Sequence, residues 1–226
     1  MLLSVLIPAY NEVNNIQDIL NKILNISIPK EIIVVDDGST DGTRKLLENL
    51  KSDIIKVVFH EKNQGKGQAI RTAIEHSTGD IIIIQDADLE YDPQDYHKLI
   101  PVIESGKEKV VYGSRFLNKQ NKHSYFSFFL GGQVVTWITN ILYFQTLTDE
   151  PTCYKVFDAK LLKSIKLNCT GFEFCPEVTA KVAKLGYKIP EVPISYYPRS
   201  INEGKKINWK DGVEAIWVLF KYRFVN

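Results

Sequence analysis

Cysteine is scarce. Cys153, Cys169 and Cys175 are the only ones in 226 residues, and no CxxC pair occurs among them. That count and spacing argue against a disulfide framework and for reduced thiols in a cytoplasmic setting. No run reaches the roughly 18 apolar residues of a transmembrane helix. The apolar N-terminus has no basic flank and breaks at Pro8, unlike a signal peptide. Neither sign of charge is in excess: 28 Lys and Arg against 27 Asp and Glu give a net +1, so nucleic acid is not an expected partner. With 44% hydrophobic and 24% charged residues, disorder and low complexity are excluded. There is no Walker A loop, no GxGxxG after the first apolar run, no GxSxG and no histidine pair with metal-ligand spacing.

What the chain does have is short Ile/Val-rich runs, at 2–7, 32–35, 54–59, 81–84 and 110–112. Bounded by polar turns, they predict strands buried on both faces of a parallel sheet. Helical patterns alternate with them at 13–24, 41–50, 66–76 and 94–104, the second behind the cap candidates Ser39, Thr40 and Asp41. The alternation predicts an α/β fold with a doubly wound, mostly parallel sheet and helices on both faces. After Arg115 the pattern changes. A polar loop is expected over 117–125, one or two amphipathic helices over 126–144 and a helix over 174–186. A proline-broken edge strand over 188–196 follows, then a helix over 209–224 with Val213, Ile216, Trp217 and Phe220 on one face. The length suits a single domain over 1–226, with a ligand-binding half at 1–115 and a helical and strand extension at 116–226.

Ligands of parallel sheets sit beyond the carboxyl ends of strands. Three expected strands end conspicuously, in Pro8-Ala9-Tyr10-Asn11-Glu12, in Asp36-Asp37-Gly38-Ser39-Thr40-Asp41-Gly42 and in Gln85-Asp86-Ala87-Asp88-Leu89-Glu90. Asp86, Asp88 and Glu90 share one parity. Such crowded carboxylates repel one another and suit a hard cation, Mg²⁺ or Mn²⁺, whose shell substrate phosphates complete. The alternative is an exposed acidic turn. Pro8-Ala9-Tyr10-Asn11 can be a plain turn, and Asp37 can belong to a loop that caps the following helix.

These residues, taken in order, resemble glycosyltransferase family 2, the inverting nucleotide-sugar transferases of GT-A-type fold. The matching pieces are PAYNE at 8–12, VDDGSTDGT at 35–43, NQGKGQAIRTA at 63–73, DADLEYDP at 86–93 and GSR at 113–115. GYKIPEVPISYYPR at 186–199 and EGKKI at 203–207 resemble, more narrowly, the dolichyl- or polyprenyl-phosphate sugar synthases. The resemblance implies a nucleotide-sugar-binding half at 1–115 and an acceptor half at 116–226. It implies donor contacts from Pro8, Tyr10, Glu12, Val35, Asp37 and Lys66, with Asp37 near the base. Asp86, Ala87 and Asp88 match the diphosphate and metal motif, and Glu90 stands where the mannosyl synthases often have Gln. Arg115 and Arg199 match residues expected near the transferring phosphates, and Lys155 stands where mannosyl synthases usually carry Arg.

The implied reaction moves a hexose from a nucleotide sugar to an acceptor, and two acceptors remain open. A lipid phosphate is already anionic and needs no strong base; Arg115, Lys155 and Arg199 would bind it. A saccharide hydroxyl needs a carboxylate base, for which Asp149 is the candidate, against a plainer reading as a helix cap or loop carboxylate. The tract at 126–144 reads either as core or as an interfacial surface. Phe126, Phe128, Phe129, Trp137, Tyr143 and Phe144, with the basic end KYRF at 221–224, suit peripheral contact with anionic lipid at the cytoplasmic face of a membrane.

Overall fold

The computed structural model describes residues 1–122, 126–199 and 209–225. The tract at 203–207 and the side chains of Phe126 and Phe128 lie outside the described residues. Four Ile/Val runs become adjacent parallel strands: β1 (Leu3–Ala9), β2 (Lys30–Asp36), β3 (Ile55–Phe59) and β4 (Ile81–Ile84). Between them run α1 (Ile16–Leu24), α2 (Thr43–Glu48) and α3 (Lys66–His76). Every residue of β4 is buried, as are most of β1 and β2, because helices cover both faces of the sheet. After α4 (Tyr96–Glu104), β5 (Val110–Ser114) joins the far side of the sheet.

Periodicity does not announce β6 (Lys155–Asp158) or the short helix α6 (Ala159–Ser164) behind it. β6 runs antiparallel between β4 and β5 and gives the order β3-β2-β1-β4-β6-β5-β7. The mostly parallel, doubly wound α/β architecture is as expected. β7 (Glu191–Pro193) lies at the edge, parallel to β5, where its prolines can be accommodated.

The tract at 126–144 forms one helix, α5 (Phe126–Tyr143), which packs with α7 (Phe174–Lys184) and α8 (Trp209–Phe224). Val135 and Tyr143 join Ala180, Val218, Leu219 and Tyr222 in a small second core. The Tyr143 hydroxyl donates to the Leu219 carbonyl at 2.6 Å. The helix is therefore core on one face and open on the other, where Leu130, Trp137 and Ile141 are exposed. On α8 the face bearing Val213, Trp217 and Phe220 points outward, with Trp217 66% exposed. No helix among the described residues is long and apolar enough to cross a membrane.

Candidate active site

Because β2, β1 and β4 are neighbours and parallel, their carboxyl ends meet at one edge of the sheet. A cleft of about 1270 Å³ opens there. Pro8, Tyr10, Glu12, Asp37, Lys66, Asp86, Ala87, Asp88, Glu90, Arg115 and Arg199 all line it. Three sequence candidates do not. Val35 belongs to the core, fully buried in β2. Asp149 and Lys155 lie behind the wall, each with no exposed surface.

Asp37 is almost wholly enclosed. Its Oδ1 accepts the Gln64 N–H at 2.9 Å and lies 2.7 Å from His60 Nδ1; its Oδ2 accepts the Gly65 N–H at 2.8 Å. It caps no turn of α2, but fixes the loop that leads into α3. Gly65 is required there: its φ is +95°, and a Cβ would fall 2.3 Å from the Thr170 carbonyl oxygen. Hydrogen bonds to a charged acceptor contribute roughly 1.5–3 kcal/mol each. Asp37→Ala is therefore expected to lower unfolding stability by about 2–4 kcal/mol and to weaken nucleotide binding, the first read by denaturant titration and the second by calorimetry. A wild-type denaturation midpoint would contradict the role in the loop.

The anchored loop sets Lys66 at the start of α3, with Nζ 2.5 Å from Asp86 Oδ1. Burial opposes the ammonium's charge, yet Asp86 raises its pKa overall, and Lys66 holds Asp86 ionised in turn. Asp88 differs. Burial, then the nearby Asp86, push its carboxyl up to about 7 against the pull of Arg199. Arg199 Nη2 lies 2.5 Å from Asp88 Oδ2, Nη1 3.4 Å from Glu12 Oε2 and Nε 3.8 Å from Glu90 Oε1. Three carboxylates from one strand end thus share two cations.

No three His, Cys, Asp or Glu side chains among the described residues converge to hold a metal by themselves. The residues nevertheless fit Mg²⁺ or Mn²⁺. They are hard oxygen donors, crowded and incompletely neutralised, of the kind that binds Mg²⁺ through one or two carboxylates with substrate phosphates. Asp86 and Asp88 would hold the ion, and Glu90 is tied up by Tyr196 and by the Arg199 backbone. Since a metal binds the deprotonated carboxylate, Mn²⁺ affinity is expected to rise up to about tenfold from pH 6 to 7 and to level off above pH 8. A flat profile in a pH series of titrations would exclude Asp88 as the titrating ligand.

Asp149 forms no helix cap and is not poised as a base. Arg115 grips it with Nε at 2.8 Å and Nη2 at 2.7 Å, and the Arg115 backbone N–H adds a third bond at 2.9 Å. Glu191 of β7 accepts the Thr148 and Asp149 backbone N–H groups at 2.7 and 2.9 Å and so fixes this loop. Lys155 does not converge with the two arginines. Its Nζ donates to the Glu150 carbonyl at 2.5 Å and sits 3.6 Å from the centre of the Tyr112 ring. Sequence reading missed Glu191, which lies inside the PEVP stretch, and Tyr196, whose ring lies under Arg115 at 5.2 Å. It also missed Cys153 and Cys175 on the cleft wall, whose thiols burial pushes up.

Known proteins resemble this chain in sequence and in fold. Over 211 residues the chain is 28% identical to the dolichol-phosphate mannosyltransferase of Pyrococcus furiosus, covering 91% of this chain. Over 214 residues it is 32% identical to the UDP-N-acetylglucosamine–dolichyl-phosphate N-acetylglucosaminyltransferase of Methanococcus voltae, covering 85% of this chain and 84% of that one. The chain spans 59% of the Pyrococcus relative and 63% of another curated relative. Among solved structures, glucosyl-3-phosphoglycerate synthase from Mycobacterium tuberculosis, in complex with Mn²⁺, UDP and phosphoglyceric acid, superposes with a TM-score of 0.74 at 18% identity. That match covers 99% of this chain and 79% of the other, and it shares the mostly parallel α/β architecture. The family model for glycosyl transferase family 2 matches residues 4–165, which hold most of the sheet and the strand ends that carry Tyr10, Asp37, Asp86 and Asp88, and the chain belongs to that family.

Proposed function

We propose that the protein transfers a hexose, with inversion, from a nucleoside diphosphate sugar to a polyprenyl phosphate, at the cytoplasmic face of a membrane. The observation that carries this reading is the continuity of one cleft. At the strand ends its walls are Asp86, Asp88, Lys66 and Arg199; further on they are Leu130, Val134, Trp209, Val213 and Ile216 from α5 and α8. A charged end beside an apolar channel suits an acceptor with a phosphate head and a hydrocarbon tail. The names of the relatives from Pyrococcus and Methanococcus, both dolichyl-phosphate enzymes, support the same acceptor class.

In this reading a phosphate oxygen of the acceptor attacks the anomeric carbon, whose bond to the diphosphate breaks, and the nucleoside diphosphate leaves. Tyr10 and the loop held by Asp37 meet the nucleoside, and Lys66 lies beside the diphosphate. Asp86 and Asp88 would hold a divalent cation, which would offset the charge that develops on the leaving group. Arg115 is oriented by Asp149 to present its planar cation to the acceptor, and Tyr196 supports its face. A thermal-shift panel of UDP- and GDP-sugars with and without Mn²⁺ tests the donor half, since a bound ligand raises the melting temperature by mass action. No shift with any of them would reject it.

The outward aromatic residues Trp137 and Trp217 and the basic Lys221 and Arg223 suit an interface with anionic lipid. Trp137→Glu with Trp217→Glu is expected to cut co-sedimentation with phosphatidylglycerol vesicles at least tenfold while leaving the melting temperature within about 2 °C. Undiminished sedimentation would remove α5 and α8 as the docking face.

A further inference from the structure

The two arginines of the cleft are held in different ways, and the difference suggests an exchange. We propose that Arg199 is a resident counter-ion of the Asp86–Asp88 site, which a divalent cation arriving with the nucleotide displaces from Asp88, freeing the guanidinium for the acceptor. With the strand end taken, as above, for the cation and diphosphate site of a nucleotide-sugar transferase, three observations carry this exchange.

First, the hold on Arg199 is loose. Arg115 makes two parallel bonds to one carboxylate, at 2.8 and 2.7 Å, the geometry of a permanent pair. Arg199 spreads over three carboxylates and makes one short contact, to Asp88; its Nε is buried without a hydrogen-bond partner. Second, its backbone is placed independently of the guanidinium. The Tyr197 N–H donates to the Glu90 carbonyl at 2.8 Å and the Ser195 N–H to Asp95 Oδ2 at 2.6 Å, while Tyr91 and Tyr196 form an antiparallel bridge. The side chain can therefore let go of Asp88 while the segment stays over the strand end. Third, the guanidinium and a metal compete for one atom. Mg²⁺ or Mn²⁺ binds carboxylate oxygen at about 2.1 Å. On Asp88 Oδ2, already 2.5 Å from Nη2, it would meet a like charge at close range in a partly enclosed site, where such repulsion is strong.

The exchange has an observable consequence. Metal alone must evict Arg199, whereas metal with a nucleoside diphosphate brings anionic charge that compensates for it, so metal and nucleotide bind synergistically. The test is Mn²⁺ binding by the full chain, read from the paramagnetic signal of the free ion, with MnCl₂ alone and then with UDP or GDP. Arg199→Gln is expected to bind Mn²⁺ alone about 10–100-fold more tightly than wild type, and the gap should shrink once nucleotide is added. Arg199→Lys, which keeps the charge but loses the fork, should fall between the two and supplies the reading if the Gln variant does not fold. Wild type that binds Mn²⁺ with nucleotide, combined with unchanged or weaker Mn²⁺ affinity in both variants, would overturn the exchange alone. Absence of Mn²⁺ binding in every protein, with either nucleotide, would overturn it together with the reading of the strand end as a cation site.

Discussion

Asp88→Asn is expected to lower turnover by about three to four orders of magnitude while leaving the fold intact at neutral pH. The cation that Asp86 and Asp88 are proposed to hold supplies several kcal/mol of leaving-group stabilisation. About 4–5.5 kcal/mol of that corresponds to 10³–10⁴ in rate. Stability should behave otherwise, because the native state gains little from an ionised Asp88. Its carboxyl is raised from 3.8 to about 7 by burial and by Asp86. Between those values the folded protein binds a proton that the unfolded chain has released, so stability falls as pH rises through the interval and levels off above it. An amide cannot titrate, and Asp88→Asn should remove that slope in metal-free protein, although Arg199 loses its shortest contact. Transfer of labelled sugar, with denaturation midpoints at pH 5 and pH 8, reads both effects. Near-normal turnover in the presence of a chelator would reject the metal assignment.

Asp88 was legible in the sequence because two local features fixed it: a run of four isoleucines that predicts a buried strand, and an acidic triplet placed where that strand must stop. Lys66 and Arg199 were legible only through the family pattern. Nothing local says that their charges meet Asp86 and Asp88, since contacts across 20 and 111 positions are set by the topology. Lys155 shows the limit more sharply. The family pattern matches it to an acceptor-phosphate position, but it begins a four-residue strand whose antiparallel insertion between β4 and β5 no periodicity reveals. That insertion carries the ammonium over Tyr112 and away from the cleft. Val35 was matched to a donor contact through the family pattern, yet its side chain is core, because β2 is covered on both faces. The outward stripe of α8 misleads too, because an apolar face predicts burial without naming the solvent that covers it.

A polyprenyl phosphate is expected to be used at least about a thousandfold better than the same polyprenol, because the cleft is short of a base. Attack by a hydroxyl requires a positioned carboxylate, and such general-base assistance contributes about 10²–10⁴ in rate. Asp149 was the candidate, but both of its oxygens are taken by Arg115. Asp86 carries Lys66, Asp88 carries Arg199, Glu90 accepts from the Tyr196 hydroxyl and the Arg199 N–H, and Glu12 accepts from the Asn15 amide. A phosphate is already ionised and has no need of one; what it requires is a cation aimed at it, which the Arg115–Asp149 pair can supply. That pairing also alters what an Asp149 variant means. Asp149→Ala leaves a mostly enclosed guanidinium without its partner and destabilises the fold, and its loss of activity would not identify a base. The discriminating variant is Arg115→Lys, which keeps the charge and gives up the two-point grip. It should lose about 10–150-fold in kcat/KM for the polyprenyl phosphate, the equivalent of one charge-assisted hydrogen bond, with donor affinity unchanged. Initial rates with a short-chain polyprenyl phosphate, its alcohol and an oligosaccharide decide the matter. Equal rates with phosphate and alcohol, or efficient transfer to the saccharide, would move the acceptor from lipid phosphate to hydroxyl and require a base from among the carboxylates now held by Lys66 and Arg199.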